Sequence, residues 1–329
     1  MKVLGIETSC DETAVAVVED GERIIVNLVA SQIDVHKKFG GVVPEIASRH
    51  HVSNIKYILK ETFDVVPPRE IDLVAVTHGP GLVGALLVGI SVAKGIAMSM
   101  DLPIVGVNHL LGHIHSVFFS SKVEFPFIAL LVSGGHTEIV YVEDEVTVKV
   151  LGRTVDDAAG EAFDKVARVL NLDYPGGPAI QKAAKEGNPN FYKFPRPLLN
   201  SKDYNFSFAG LKTSVLYFMR DNPKANVSDV AASFQEAVVD VLVKKTFRAA
   251  RDHGVRNVVF VGGVSANKML REKAKDQAEK WKYNVYFPDI SFCTDNAAMI
   301  ARAGYFLHKK GYTSDMELNA IPNLTLDKG

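Results

Sequence analysis

The sequence predicts an α/β protein made of two related halves, and three observations lead to this prediction. Apolar strands alternate with helical patterns along the chain, which is typical of a sheet covered by helices on both faces. Shifting the sequence by 124 residues aligns two strand–turn–strand units without a gap, with Ser9 on Ser133 and Thr13 on Thr137. At 329 residues the chain exceeds one simple core, so we expect two domains.

The first half opens with a strand pair. Residues 2–7 and 13–19 are apolar and β-branched, and the polar residues 8–12 form the turn between them. After a helical pattern at 54–63, the apolar segment 72–77 predicts a buried strand that leads into an apolar helix. The run of that helix, 81–93, is too short to span a bilayer, so we predict a buried core helix and no membrane association.

The second half repeats this layout. Strands at 127–132 and 137–142 flank a Ser-Gly-Gly-His turn at 133–136, and a strand at 257–261 leads into a Gly-Gly turn and a helix. Residues 188–203 contain three prolines and predict a loop insertion. Helical patterns cover four further segments: 155–170, 178–186, 228–253 and 295–308.

The composition indicates an ordinary globular protein without a basic excess. The net charge is −1 and the pI is about 6.8, so any contact with nucleic acid must be local, weak or shared with a partner. Two widely separated cysteines, Cys10 and Cys293, exclude a disulfide framework and fit a reducing compartment. The apolar run after Met1 is too short for a secretory signal, and we therefore predict a cytoplasmic location.

The most informative motif is the pair of histidines at 109 and 113. Residues four apart lie above one another on one helix face, so both imidazoles can bind the same metal ion. The alternative is that His109 and His113 are unrelated histidines. Asp295 begins the last helical pattern, where an N-cap is its default role, but it also offers the carboxylate that completes a two-His site suited to iron or zinc.

The turns of the two predicted hairpins carry different chemistry. Adjacent glycines at 134 and 135 let backbone amides approach an anion, although a tight hairpin that needs positive φ explains them equally well. In the equivalent turn of the first half, Asp11 and Glu12 offer carboxylates for a metal or for proton transfer. The alternative for these acids is a solvated turn.

Two glycine-containing turns precede helices. Residues 262–267 follow a strand, a context in which a nucleoside can pack against backbone, but they lack the spacing of a dinucleotide or Walker motif. In the turn at 174–178, Gly177 can closely approach a ribose. A plain helix start with proline at the first position is an equally good explanation of that turn.

Taken together, these motifs resemble the TsaD family, formerly called Gcp, nearly from end to end. Residues 207–213 resemble its bacterial branch. The other stretches that carry the resemblance are 5–13, 40–49, 78–82, 108–113, 131–137, 160–165, 174–178, 262–267 and 294–297.

The resemblance implies the actin-like ATPase fold, with two duplicated ribonuclease-H-like domains and a nucleotide and metal cleft between them. We place the first half at 1–108 plus 296–329 and the second half, with helical insertions, at 109–295. The implied activity is that of a tRNA N6-adenosine threonylcarbamoyltransferase. Such an enzyme moves the threonylcarbamoyl group from threonylcarbamoyl-AMP to the adenosine adjacent to the anticodon of ANN-decoding tRNAs.

The resemblance also implies a ligand for each motif. His109, His113 and Asp295 would bind one divalent metal per chain, with Fe(II) favoured and Zn(II) as the alternative. Threonylcarbamoyl-AMP, or ATP or ADP in its place, would be bound by a second set of residues: Leu131, Val132, Ser133, Gly134, Gly135, Asp164, Gly177 and Asn267. For the transfer itself, we predict that Asp11 or Glu12 accepts the proton.

Bacterial relatives imply that the chain acts with partners. These are a TsaB-like paralogue that forms a heterodimer, a TsaE-like ATPase, a TsaC-like synthase that makes the donor, and the tRNA. Several basic residues of the second half could form a surface that contacts phosphate, although basic helix faces are usually only solvated. Those residues are Lys193, Arg196, Lys202, Lys244, Lys245, Arg248 and Arg251.

Three other functions compete with the transferase. A metalloprotease is disfavoured, because Leu110 follows His109 where the HExxH motif has its catalytic Glu. An actin-like ATPase or kinase shares the predicted fold, but such enzymes usually hold Mg²⁺ through carboxylates and phosphates. A nucleotide-controlled assembly module would bind nucleotide and perform no chemistry on tRNA.

Overall fold

The structure, a computed structural model, describes residues 1–328 as two compact units. Unit 1 comprises Met1–Ser120, Asp144–Val148 and the C-terminal segment from Thr294. Unit 2 comprises Ser121–Glu143 and Lys149–Cys293. Residues 109–120, which include His109 and His113, belong to unit 1 by their contacts. The boundaries proposed for the two duplicated halves, at 108/109 and 295/296, stay a prediction.

Each unit contains a five-stranded mixed sheet. The order in unit 1 is β3-β2-β1-β4-β5, and in unit 2 it is β10-β9-β6-β7-β8. In both, an antiparallel hairpin is joined by a parallel strand on its other side. The strands are β1 (Lys2–Glu7), β2 (Glu12–Glu19), β3 (Arg23–Ser31), β4 (Leu73–Gly79), β5 (Ile104–Asn108), β6 (Phe127–Val132), β7 (Thr137–Val142), β8 (Val148–Arg153), β9 (Asn257–Val261) and β10 (Asn284–Tyr286).

Ten α-helices accompany the sheets in the described chain. The helices are α1 (Ile33–Lys37), α2 (Pro44–Val65), α3 (Val83–Met100), α4 (His109–His115), α5 (Ala159–Val169), α6 (Gly176–Ala184), α7 (Ala209–Asp221), α8 (Val227–Asp252), α9 (Lys268–Trp281) and α10 (Ala297–Lys309). Helices α10, α3 and α2 pack on the sheet of unit 1, and α8 packs on β6 and β9 of unit 2. The α/β class predicted from the alternating pattern is confirmed.

The strand register supports the internal duplication directly. In the first hairpin Glu7 pairs with Ala14, and in the second Leu131 pairs with Glu138, so both partners move by 124 residues. The shift that aligned the two sequences therefore also aligns the two sheets.

Several boundaries differ from the predicted ones. The pattern at 54–63 is the middle of α2, which begins at Pro44 because proline lacks the N–H that a first helical turn leaves unpaired. Strands β3 and β8 escaped prediction because their residues are mostly half-exposed and show no clean alternation. The cap of α10 is Asn296, whose side chain accepts from the backbone N–H of Met299, so the default N-cap role of Asp295 is wrong.

Helix α3 is longer than the apolar run that predicted it. Its 18 residues make it the one helix in the described chain long and apolar enough to cross a membrane, so the run was wrongly judged too short. One such helix is weak support for a membrane span, because the core helix of a globular protein passes the same test. One face of α3 is buried, including Leu86 and Ile90, whereas Val83, Leu87 and Met98 are exposed on the other.

The close packing of α10 on β1 positions the functional residues of unit 1. A Cβ added to Gly5 of β1 would lie 2.3 Å from the carbonyl oxygen of Ala297, so only glycine permits this approach. As a result the start of α10, preceded by Asp295, lies beside the end of β1.

Candidate functional site

Helix α4 presents two histidines to one carboxylate. It begins immediately after β5, and the Asn108 side chain caps it by accepting from the backbone N–H of Leu110. The Nε2 atoms of His109 and His113 lie 3.5 and 3.0 Å from the Oδ1 atom of Asp295. One potential ligand atom from each of the three residues lies within 4.8 Å of the others. The structure thus brings together the three residues predicted to bind the metal.

The hydrogen bonding of His113 fits a metal ligand. The side chain is fully buried; its Nδ1 atom has no hydrogen-bond partner among the described residues, and its Nε2 atom faces the Oδ1 atom of Asp295 at 3.0 Å. Nε2 is the ring atom available to a metal, because it lies beside a buried carboxylate that would neutralise the charge of a bound cation. Two imidazoles and a carboxylate are also a donor set that suits iron or zinc. The residues therefore fit a divalent metal.

The charges at this site are strongly coupled. Burial acts to raise the pKa of Asp295, but the adjacent His109 and His113 hold it well below its usual range. Burial acts to lower the pKa of His109, yet the Asp295 and Glu7 carboxylates raise it well above the ordinary histidine value. The site is therefore a concentrated negative field that favours any cation, proton or metal, at these imidazoles.

The third neighbour, Glu7, was not predicted. It lies at the end of β1, is fully buried, and its Oε2 atom accepts a 2.9 Å hydrogen bond from Nδ1 of His109. The signal in the sequence was an acid that ends an otherwise apolar strand. His115, in contrast, contacts the Glu145 backbone and Arg302 instead of the cluster, in agreement with its predicted position on another helix face.

A histidine of helix α2 forms hydrogen bonds to the acidic turn of unit 1. The buried His51 side chain contacts the Cys10 carbonyl through Nε2 at 2.9 Å and the Thr13 hydroxyl through Nδ1 at 2.8 Å. Burial, then the nearby Asp295 and Asp11 carboxylates, raise the pKa of Glu12 to about 10. A carboxyl with that pKa is protonated at neutral pH, so of the two predicted proton acceptors Asp11 is better suited.

In unit 2 the equivalent turn, residues 133–136, contains two glycines that have free space beside them. A Cβ added to Gly134 or Gly135 would meet nothing within 4 Å, and neither residue has positive φ. Hairpin geometry therefore does not require these glycines. The first turn of α5 adjoins them, since the Gly160 N–H donates to the Ser133 carbonyl at 3.2 Å. The first two N–H groups of α5 are used within the protein, by Thr137 and Ser133, so the open glycine turn is the part that suits an anion, as predicted for phosphate.

The remaining predicted ligand residues gather around this edge of the second sheet. Asp164 accepts from the Gly176 N–H at 2.7 Å, and the Cα of the adjacent Gly177 faces open space. Asn267 caps α9 and donates from Nδ2 to Gln235 Oε1 at 2.7 Å. Their role in binding the acyl-adenylate stays a prediction.

Two details of this edge were not anticipated. Leu131 and Val132 are fully buried in β6, so their side chains cannot reach a ligand and only the turn that follows them is available. Gly262 has φ +89 and packs against the Val132 carbonyl, which leaves Gly263 facing open space. Gly263 is therefore a further candidate for backbone contact with a nucleotide.

Most of the basic residues proposed as a phosphate surface have structural partners. Lys245 is 1% exposed and donates to Ser201 and to the Asn205 carbonyl, while Arg248 donates to the Ser201 and Asp203 carbonyls. Arg196 is paired with Asp240. These cations anchor the loop that follows residue 188, which explains their number better than phosphate contact does.

The open space at Gly134 leads to a direct test. Changing Gly134 to Val should leave the fold intact, because an added Cβ meets no protein atom within 4 Å, but fill the space proposed for phosphate. We expect binding of ATP or AMP to weaken by about tenfold or more, which is about 1.4 kcal/mol, in calorimetric titration. Gly210→Val, at another glycine that faces open space, is the control, and equal binding by both variants would contradict the assignment.

Comparison with known proteins agrees with this geometry. Residues 23–302 match the family described as TsaD: tRNA N6-adenosine threonylcarbamoyltransferase. Relatives of that name are 59% identical in Thermotoga neapolitana, over 99% of this chain and 100% of the relative, and 57% identical in Thermosipho africanus over the same shares. A Bacillus cereus protein of that name is 50% identical over 99% of this chain and 96% of its own length.

Solved structures show the fold. HypF from T. kodakarensis has a TM-score of 0.66 at 15% identity over 96% of this chain, which spans about half (49%) of HypF. The activator of the 2-hydroxyisocaproyl-CoA dehydratase from Clostridium difficile has a TM-score of 0.53 at 16% identity, over 94% of this chain and 97% of the activator. These likenesses confirm the predicted actin-like ATPase fold. The family match and the identities together show that the chain belongs to the TsaD family of tRNA N6-adenosine threonylcarbamoyltransferases.

Proposed function

We propose that this transferase takes the threonylcarbamoyl group from threonylcarbamoyl-AMP and places it on N6 of the adenosine adjacent to the anticodon in ANN-decoding tRNAs. The observation that carries the proposal is the cluster of His109, His113 and Asp295, whose donor atoms lie within 4.8 Å of one another. The glycine turn beside the start of α5 adds a second support, because it suits the phosphate of an adenylate.

The chemistry asked of the chain is mainly positioning, because the mixed anhydride of the donor is already activated. The adenosine amine attacks the carbamoyl carbon, a C–N bond forms, the bond to the phosphate oxygen breaks, and AMP leaves. The turn at 133–136 holds the phosphate and stabilises its charge. Asp11 takes the proton that the amine loses. His109, His113 and Asp295 would hold a divalent metal, which would supply Lewis-acid charge when bound.

Reconstitution tests the proposal. The purified chain is incubated with unmodified tRNA, threonine, bicarbonate, ATP and the three partner proteins, and the digested tRNA is analysed by mass spectrometry. We expect threonylcarbamoyladenosine with the wild-type chain and with His253→Ala, an exposed histidine of unit 2, and none with His109→Ala/His113→Ala. Absence of modified tRNA in the metal-loaded, complete system would favour the ATPase or assembly alternative.

We propose Fe(II) as the bound metal, with Zn(II) as the alternative. The mixed set of two imidazoles and one carboxylate supports this order, because that donor set with open positions is common for non-haem iron. Metal analysis of protein purified anaerobically, followed by activity after reloading with each metal, decides between them. Full activity with zinc and none with ferrous iron would overturn the preference.

We propose that a TsaB-like paralogue covers the exposed faces of α2 and α3, while the TsaE-like ATPase and TsaC-like synthase act with the resulting heterodimer. The two helices pack on each other and leave apolar side chains exposed. On α2 these are Val52, Tyr57 and Val65, and on α3 they are Val83, Leu87 and Met98.

A charge placed on this face tests the partner assignment. Leu87→Glu should weaken the heterodimer by about 30-fold or more, as loss of a hot-spot residue of about 2 kcal/mol implies. Leu216→Glu on α7, with similar exposure (45% against 42%), is the matched control and should leave the affinity unchanged. Calorimetry or analytical ultracentrifugation with the paralogue gives the affinities, and equal affinities for both variants would exclude this face.

A further inference from the structure

We infer that Glu7 is a positioning residue for the metal ligand His109: its carboxylate holds the Nδ1–H of the ring so that Nε2 carries the lone pair offered to the metal. The inference rests on the proposed metal site and adds a residue to it. The distance from Glu7 Oε2 to His109 Nδ1 is 2.9 Å, and on the opposite side of the ring Nε2 faces Asp295. A metal-binding histidine commonly donates its other N–H to a carboxylate, which fixes the ring and its tautomer.

Both carboxylate oxygens of Glu7 must act as hydrogen-bond acceptors. Oε1 accepts from the Ser9 backbone N–H at 2.5 Å, and Oε2 accepts from the Thr77 hydroxyl at 2.6 Å as well as from His109. A glutamine cannot replace this arrangement, because its NH₂ group would face either the Ser9 N–H or the His109 ring. In the second case the amide would donate to Nδ1, and Nε2 would carry the proton that excludes a metal.

The second unit shows that the fold itself does not need this acid. Under the 124-residue shift Glu7 corresponds to Leu131, which is buried at the same position of its hairpin and pairs with Val261 of β9. In unit 1 the same neighbouring strand carries Thr77, one residue after the Ile6–Val76 pair. The polar pair Glu7 and Thr77 thus occupies a place where the related sheet has leucine and valine. A buried carboxylate carries a desolvation cost, and at this strand position only the sheet beside the histidines carries one, which points to a role there.

Ser9 is the competing explanation. Its hydroxyl lies 3.2 Å from the same Nδ1 atom of His109, so it could fix the ring instead of Glu7. The longer distance and the neutral hydroxyl make it the weaker partner. A variant of each residue therefore separates the two.

The test measures metal binding directly. Zn²⁺ affinity is determined by competition with a chelating indicator, and the d–d absorption of bound Co²⁺ reports the ligand geometry. We expect Glu7→Gln to bind one Zn²⁺ per chain with about 10- to 100-fold lower affinity and an altered Co²⁺ spectrum. Ser9→Ala should weaken binding by less than about tenfold and keep the wild-type spectrum.

A second variant guards against misfolding. Glu7→Leu/Thr77→Val carries the pair that the second sheet already accommodates, and far-UV circular dichroism and thermal melting in chelator verify its fold. It too should lose at least about tenfold in Zn²⁺ affinity. Wild-type affinity in both Glu7 variants, with binding still abolished by His109→Ala/His113→Ala, would overturn the role of Glu7 alone. Absence of Zn²⁺ and Co²⁺ binding to the wild-type chain would instead overturn the metal site.

Discussion

Replacing Asp295 with Ala is expected to lower metal affinity by at least about 100-fold, more than loss of a supporting contact does, and to abolish modification of tRNA. The reason is that, among the described residues, Asp295 supplies the carboxylate that reaches Nε2 of both histidines, at 3.5 and 3.0 Å. Its loss also removes one of the two carboxylates, Asp295 and Glu7, that hold the pKa of His109 high. Metal titration and the reconstituted transfer assay measure the two effects.

Two comparisons make this expectation specific. Asp276→Ala removes an exposed carboxylate from α9 and should leave both metal affinity and transfer unchanged. Asp295→Asn keeps the shape of the side chain but not its charge, and should resemble the Ala variant in the assay. Transfer at the wild-type rate by Asp295→Ala, with metal still bound, would show that the cluster has been assigned to the wrong chemistry.

The second large effect is on stability. Gly5→Ala should lower the free energy of unfolding by about 3 kcal/mol or more, because the new Cβ would lie 2.3 Å from the Ala297 carbonyl oxygen and must push α10 away from β1. The thermal midpoint should fall by roughly 6 °C or more. Metal affinity should fall as well, because the displaced helix follows directly after Asp295.

A second glycine variant separates crowding from the general effect of adding a methyl group. Gly95 lies in the exposed part of α3, and an added Cβ there meets nothing within 4 Å. Gly95→Ala should raise stability by about 0.5–1 kcal/mol, since alanine favours a helix. If Gly5→Ala melted at the same temperature as Gly95→Ala, α10 would not be held in the way described.

Local sequence patterns were enough to predict much of this protein's structure. The strands of both hairpins are apolar and β-branched, and the spacing of His109 and His113 is a property of one helix, so both could be predicted without tertiary information. The 124-residue shift extended the prediction from single elements to a repeated sheet. Features formed by residues only a few positions apart in the sequence were therefore the easiest to predict.

Contacts between residues far apart in the sequence could not be predicted without the three-dimensional fold. Glu7 and His109 are 102 residues apart, and they meet because β1 pairs with β4 and β4 pairs with β5, which brings the ends of β1 and β5 to one edge. The choice of Asn296 over Asp295 as the helix cap was equally hidden, since either side chain can cap. Likewise, the burial of Lys245 depends on a distant loop that folds over α8.

The buried cluster of His109, His113 and Asp295 has a consequence for the life of this protein in a cell. Because folding brings these three residues together, a metal bound there would also stabilise the folded state, by about 2.7 kcal/mol when free metal exceeds its dissociation constant a hundredfold. Chains made during metal shortage would unfold more often and be degraded sooner. The cellular amount of the enzyme would then follow the metal supply, and with it the fraction of tRNA that is modified.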